Sequence, residues 1–228
     1  MSYCLYCEER IGKTISWGTL FILEADKYSC DKCVQTFQAI EDKYCQFCYK
    51  RCEQECCEDC YKWKAIYDGN DPLYKNISIY YYNDKMKDII SRWKYRGDYM
   101  LGNLFKQKFQ TVFREKFSHM NKNISIVPIP LSKERLYERN FNQAAQLASF
   151  VTPNISNILE RTHTEKQSKK SRKERLMSKN PFILTEKVQT DVILIDDIYT
   201  TGQTVRHAAS LLKQSGCANI YAFTLVRG

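Results

Sequence analysis

A chain of 228 residues with 27% charged side chains is long enough for one full core and a small satellite, because domains usually run about 100 to 200 residues. No N-terminal apolar run reaches signal or membrane-spanning length, since Glu8, Glu9 and Arg10 interrupt the first residues. The expectation is therefore a soluble, cytoplasmic protein and not a secreted or integral membrane one. The net charge of +9 is unevenly spread: residues 1–64 hold 9 Lys/Arg against 11 Asp/Glu, a balance of −2, which leaves +11 for the rest.

The first element is a cysteine array. Ten of eleven cysteines lie in the first 60 residues, as Cys4-x-x-Cys7, Cys30-x-x-Cys33, Cys45-x-x-Cys48 and Cys57-x-x-Cys60, with Cys52 and Cys56 besides. That spacing lets two thiolates turn onto one tetrahedral ion, and in a cytosolic chain it points to zinc, with disulfides or a redox motif as the competing reading. One site is expected from Cys4, Cys7, Cys30 and Cys33, and a second from Cys45, Cys48, Cys57 and Cys60, where Cys52 or Cys56 is able to replace a member. Both sites read as structural: four thiolates leave no open position for water or substrate, and binding worth on the order of 10 kcal/mol supplements a core too small to stand alone. Cys217 reads as a small buried apolar residue.

A double zinc-binding module is thus expected over residues 1–64. Turn chemistry in "YDGNDPLYKN" marks a linker over 65–76, and a second domain over 77–228 carries the basic excess. "ISIYYY" reads as a strand. Met86, Ile89, Ile90 and Trp93 recur at helical spacing, and Leu101, Leu104, Phe105, Phe109, Val112 and Phe113 continue the pattern in a second helix. "ISIVPIP" is a short β-rich run, "FNQAAQLASFV" a helix, "DVILID" a buried strand, "TVRHAASLLKQSG" a helix with a Gly cap, and "NIYAFTLVR" a last strand. Alternating strands and helices imply an α/β fold with a parallel sheet, and ligands in such sheets bind beyond the carboxyl ends of the strands.

"VILIDDIYTTGQT" sits at such an end. Asp196 and Asp197 emerge from the buried strand, and Thr200, Thr201, Gly202, Gln203 and Thr204 form the turn into the next helix. Free N–H groups, three threonine hydroxyls and a glycine make an anion site. The carboxylates repel phosphate and suit ribose hydroxyls or a magnesium ion instead. Phosphoribosyl pyrophosphate (PRPP) with magnesium needs all three features. A reading in which Asp197 or Thr204 only caps a helix explains one residue and not the set.

This stretch resembles the PRPP signature of type I phosphoribosyltransferases. Together with the cysteine knuckles, and with "VPIPLSKERLYERNFNQA", "EKQSKKSRKERL" and "YYNDKMKDIISRWKYRGD", the whole chain resembles the ComF family of competence proteins. The resemblance implies a type I phosphoribosyltransferase-like sheet behind an N-terminal zinc-ribbon module. It also implies a role in DNA uptake during natural transformation, at the inner face of a membrane channel and with a motor ATPase as partner. Where the family often writes R-G-F-N-Q, this chain has Arg139, Asn140, Phe141, Asn142 and Gln143. Asn is the next-best residue for a left-handed backbone, so the turn is expected to persist.

Lys133, Arg135 and Arg139 leave a strand near the ligand edge, where a pyrophosphate wants cations. Between Glu165 and Lys179 lie seven Lys/Arg and two Glu without an apolar stripe. This reads as a loop whose Lys169, Lys170, Arg172 and Lys173 hold single-stranded DNA, or as a solvated surface. Arg92, Lys94 and Arg96, beside Trp93, Tyr95 and the Tyr80 to Tyr82 run, suggest a second stretch for nucleic-acid phosphates and bases, although aromatics in a first strand also serve as core. A phosphoribosyltransferase requires a nucleobase pocket, and no segment reads as the hood that supplies it. Binding of PRPP and DNA is therefore the expectation, and phosphoribosyl transfer to a nucleobase-like acceptor is the alternative.

Overall fold

The computed structural model describes residues 2–12, 27–95, 97–120, 123–162 and 180–228. A short antiparallel pair, β1 (Ser2–Tyr3) and β2 (Arg10–Ile11), leads to α1 (Asp31–Gln35) and α2 (Glu58–Ile66). Then come β3 (Lys75–Tyr81), α3 (Asp84–Tyr95), α4 (Lys106–Phe117), β4 (Ser125–Pro128), α5 (Lys133–Arg139) and α6 (Gln143–Val151). A two-stranded antiparallel pair, β5 (Leu159–Arg161) and β6 (Phe182–Leu184), precedes β7 (Val192–Tyr199), α7 (Gln203–Gln214) and β8 (Ile220–Arg227).

The central sheet has four strands in the order β3-β8-β7-β4, all parallel. Side chains alternate along a strand, and here both faces are buried. Ile193 and Ile195 of β7 with Phe223 and Leu225 of β8 face α3, α4 and α6, meeting Met86, Trp93, Phe109 and Leu147. Val192 and Leu194 with Ala222 face the other way, onto Val205, Ala208, Ala209 and Leu212 of α7, which recur at helical spacing. The same second core holds Cys45, Cys48, Cys57 and Cys60. Between that cluster and the sheet lies a closed polar chain, in which Asn76 Nδ2 donates to Ser78 Oγ at 2.8 Å and Ser78 Oγ meets Thr224 Oγ1 at 2.7 Å.

The cysteine-rich region also covers the open edge of β3. Ile40 N–H donates to Ile79 O at 2.9 Å, and Tyr81 N–H donates to Gln38 O at 2.8 Å. Residues 38–40 thus satisfy an edge that is otherwise a template for aggregation.

One element differs from expectation. The helix expected from Leu101 begins as a 3-10 stretch, Tyr99–Phe105, and becomes α-helical only at Lys106. The Gln146 amide is the reason. Its Nε2 donates to Tyr99 O at 2.9 Å while its Oε1 accepts from Trp93 Nε1 at 2.9 Å, so Tyr99 O needs no i+4 partner. Gly102 permits this approach, since a Cβ there would lie 2.6 Å from Gln146 Oε1.

Candidate metal centres and anion site

Two groups of four sulfurs form: Cys4, Cys7, Cys30 and Cys33, and Cys45, Cys48, Cys57 and Cys60, each with all Sγ atoms within 4.8 Å of one another. In the first, Cys7 and Cys30 are 3.6 Å apart; in the second, Cys45 and Cys60 are at 3.7 Å and Cys48 and Cys57 at 3.6 Å. Zinc–sulfur bonds of about 2.3 Å in a tetrahedron put sulfurs about 3.8 Å apart, whereas a disulfide needs about 2 Å. The donor chemistry therefore fits a structural zinc ion in each. Contact with Cys45 first, and burial after it, pushes the Cys48 thiol up to about 12, while Cys45 is held far below the usual thiol range by its neighbours' sulfhydryls. Four sulfurs this close ionise together only around a cation. Cys52 and Cys56 stand outside both groups, their thiols directed at Gln54 O and Cys57 O. Elemental analysis of protein never exposed to chelator should return two zinc ions per chain; one or none would overturn the two-site assignment.

The second site lies at the carboxyl ends of β4 and β7, around a cavity of about 220 Å³. Asp196, Asp197, Thr200 and Thr204 line it from β7 and the turn into α7, and Arg135 and Arg139 line it from α5. Ser132 caps α5 by accepting from Arg135 N–H, and Asn140 ends that helix in the left-handed region at φ 62°. This reversal lets Asn142 cap α6, accepting from Ala144 N–H at 2.9 Å and donating to Ile129 O at 3.0 Å. The tail of β4 is thereby tied to the start of α6, and Gln143 faces the cavity.

Cations outnumber carboxylates here. Lys94, from the end of α3, pairs with Asp197, and Arg161, from the end of β5, adds a third guanidinium. Burial, then the nearby Arg135, lowers the pKa of Arg161. Guanidiniums crowded this way call for an anion between them. Arg139 Nη1 donates to Gln143 Oε1 at 3.1 Å, yet the buried Arg139 Nε and Gln143 Nε2 have no acceptor among the described residues. Asp196 carries the opposite signal: burial, then Asp197, pushes its carboxyl up to about 7 against the pull of Lys94 and Arg161. A second cation beside this pair would let both carboxylates ionise. The arrangement can hold a polyanion on its guanidinium side and hydroxyls or a divalent cation on its carboxylate side.

The other expected residues are placed as follows. Thr201, Gly202 and Gln203 shape the turn, with Gly202 left-handed at φ 79° as the N-cap of α7. Lys133 is exposed on α5, outside the cavity lining. Arg92 turns to the first cysteine group, donating to Tyr6 O at 3.2 Å and lying over the Tyr6 ring. Lys94, read from sequence as a contact for DNA phosphates, is instead almost covered and engaged with Asp197. Trp93 and Tyr80 are core residues, whereas Tyr82 and Tyr95 are exposed. Arg96, Lys169, Lys170, Arg172 and Lys173 lie outside the described residues. Gln143 is read in the sequence only as the last residue of the turn after Arg139, and Arg161 not at all, because nothing local marks it except a basic run that follows.

No family model matches the chain. Curated proteins do. The chain is 38% identical over 228 residues to Competence protein ComFC of Bacillus subtilis, covering 98% of this chain and 94% of that protein. It is 33% identical over 227 residues to Competence protein ComFC of Streptococcus pneumoniae, covering 98% and 99%. A shorter match, 31% over 112 residues and 45% of this chain against 48% of the relative, is to DNA utilization protein YhgH of Salmonella typhi.

Proposed function

The chain belongs to the ComF family of competence proteins, and from that premise we propose that it serves DNA uptake in natural transformation, binding PRPP with magnesium at the sheet's carboxyl edge and incoming single-stranded DNA through its basic second domain. The observation that carries the ligand is the cavity itself, with two buried donors lacking acceptors among the described residues on one side and the adjacent Asp196 and Asp197 carboxylates on the other. In this proposal Arg135, Arg139 and Arg161 take the pyrophosphate, and the Thr200 to Thr204 turn takes the 5-phosphate. Asp196 and Asp197 hold the ribose hydroxyls or the magnesium ion, which would neutralise phosphate charge. The domain division at 1–64, 65–76 and 77–228, and the type I phosphoribosyltransferase-like character of the sheet domain, are part of the same reading.

The relatives' names speak of competence and DNA utilization, and the +11 balance beyond residue 64 supplies the charge that DNA needs. No helix among the described residues is long and apolar enough to cross a membrane. We place the protein at the cytoplasmic side, where a motor ATPase and a membrane channel would hand it the strand. Isothermal titration of PRPP with magnesium, repeated in the presence of single-stranded DNA, tests the reading: measurable heat that changes with DNA supports it, and no heat in either case refutes it. Turnover of PRPP with release of pyrophosphate in the presence of a nucleobase would instead favour the transferase.

DNA binding should be electrostatic. The logarithm of affinity should fall against the logarithm of salt with a slope of about −0.7 per neutralised phosphate. Changing Lys169, Lys170, Arg172 and Lys173 to Ala should weaken binding to all sequences alike and flatten that slope. An unaltered slope would move the DNA path away from this run.

A further inference from the structure

Three successive carbonyls of the phosphate turn are held from behind by side chains anchored on the second cysteine group. Thr200 O accepts from Arg227 Nη1 at 2.8 Å, Thr201 O from Trp63 Nε1 at 2.8 Å, and Gly202 O from Arg206 Nη1 at 3.4 Å. In a trans peptide the C=O and the following N–H point in opposite directions. Fixing these carbonyls therefore turns the N–H groups of Thr201, Gly202 and Gln203 to the other side. Those of Thr201 and Gly202 have no backbone or side-chain acceptor among the described residues.

Each tether leads to the metal group. Arg227 Nε donates to Cys48 O at 3.1 Å, and its Nη2 lies 3.7 Å from Cys48 Sγ. Trp63 is three residues beyond Cys60 on α2, whose N-cap is Cys57. Arg206 lies over the Trp63 ring at 4.5 Å and is locked by a two-pronged pair with Asp71, its Nε and Nη2 donating at 3.0 and 2.8 Å to Asp71 Oδ2. Gly202 completes the fit: a Cβ there would collide with the Tyr199 hydroxyl and the Arg206 guanidinium.

We propose that Arg227, Trp63 and Arg206 are positioning residues that couple the Cys45, Cys48, Cys57 and Cys60 metal site to the phosphate turn, so that metal in that site organises the turn for PRPP. The proposal rests on the PRPP reading above. A metal-bound Cys48 thiolate and a fixed α2 leave the turn ordered before ligand arrives; without them the ligand must order it, and ordering backbone opposes binding. Linkage makes the effect reciprocal: whatever factor the metal adds to PRPP affinity, PRPP must add to metal affinity, typically about 5- to 150-fold. The first cysteine group, which packs with Ile11 and Tyr6 apart from this core, has no share in it.

The test uses the full zinc-loaded chain and a chromogenic chelator that ignores magnesium. Competition should show that PRPP with magnesium raises the affinity of one zinc ion about tenfold and leaves the other unchanged. Trp63→Phe keeps an aromatic ring beside Arg206 and removes the donor to Thr201 O together with part of the indole. It should still carry two zinc ions, bind PRPP about five- to tenfold more weakly, and lose part of the gain in zinc affinity. Wild-type protein that binds PRPP with neither zinc affinity altered overturns the coupling and leaves the PRPP site standing, as does a Trp63→Phe variant with full PRPP affinity. Wild-type protein that binds no PRPP overturns both.

Discussion

Replacing Asp196 and Asp197 together by Ala should weaken magnesium-dependent PRPP binding by about 30-fold or more, because truncating buried charged partners costs about 2 to 5 kcal/mol. The fold should survive, since both residues line a cavity where β7 runs on past the end of β4, and the main loss is the Asp197 partner of Lys94. Affinity in the double variant within a few-fold of wild type would show that PRPP lies elsewhere. The single variant Asp196→Asn separates function from stability. The Asp196 carboxyl is raised to about 7 by burial and by Asp197, against about 3.9 in an unfolded chain. The folded protein therefore holds this proton more tightly, and the stability it supplies is present below about pH 4 and is lost as pH rises towards 7. Above that, a buried charge is carried at a cost on the order of a few kcal/mol. Asp196→Asn removes the charge, so without magnesium its Tm should exceed the wild-type value at pH 8 and approach it near pH 4. A wild-type Tm that is higher at pH 8 would contradict the raised pKa.

The two metal sites should respond very differently to loss. Cys45, Cys48, Cys57 and Cys60 are part of the core that also contains Val127, Val192 and Leu194. A structural zinc site of this kind is worth on the order of 10 kcal/mol, comparable to the whole stability of about 5 to 15 kcal/mol expected of a domain. Cys45→Ser should therefore melt far below the wild type, in a transition that takes the sheet domain with it. Cys4 belongs to a small separate group with Ile11, Cys30 and Cys33, so Cys4→Ser should unravel the first site and keep the sheet domain's cooperative melting. Circular dichroism melts with zinc determination on both variants provide the comparison. Equal damage from the two substitutions would contradict this division of the core.

Much of this molecule was legible in its sequence because the signals are local. Four Cys-x-x-Cys knuckles specify which sulfurs lie within one turn of each other, and the order of appearance pairs first with second and third with fourth, as found. The run Val192 to Ile195 is apolar throughout, and Ile220 to Val226 nearly so, because a parallel sheet is covered on both faces. The periodicity of α3 and α7 follows from one buried stripe each. Asp196, Asp197 and the threonine turn are contiguous, so their shared environment needed no tertiary information.

What only the tertiary structure decided are the pairings of residues distant in sequence. Gln146 reaches Tyr99 and so turns the first part of an expected helix into a 3-10 stretch. Lys94 looked like a surface cation because it is flanked by Arg92 and Tyr95, but packing of α3 brings its ammonium to Asp197, about a hundred residues on. Arg161 carries no motif, and its role depends on where β5 stops relative to β7. Trp63 and Thr201 are 138 residues apart, as the sequence separation of their hydrogen bond records. Hydrophobic period and turn chemistry describe a residue's own neighbourhood. The charge or carbonyl that a side chain meets across the core is set by how helices and strands close on one another, and in this protein that closure joins a metal group to the end of a sheet.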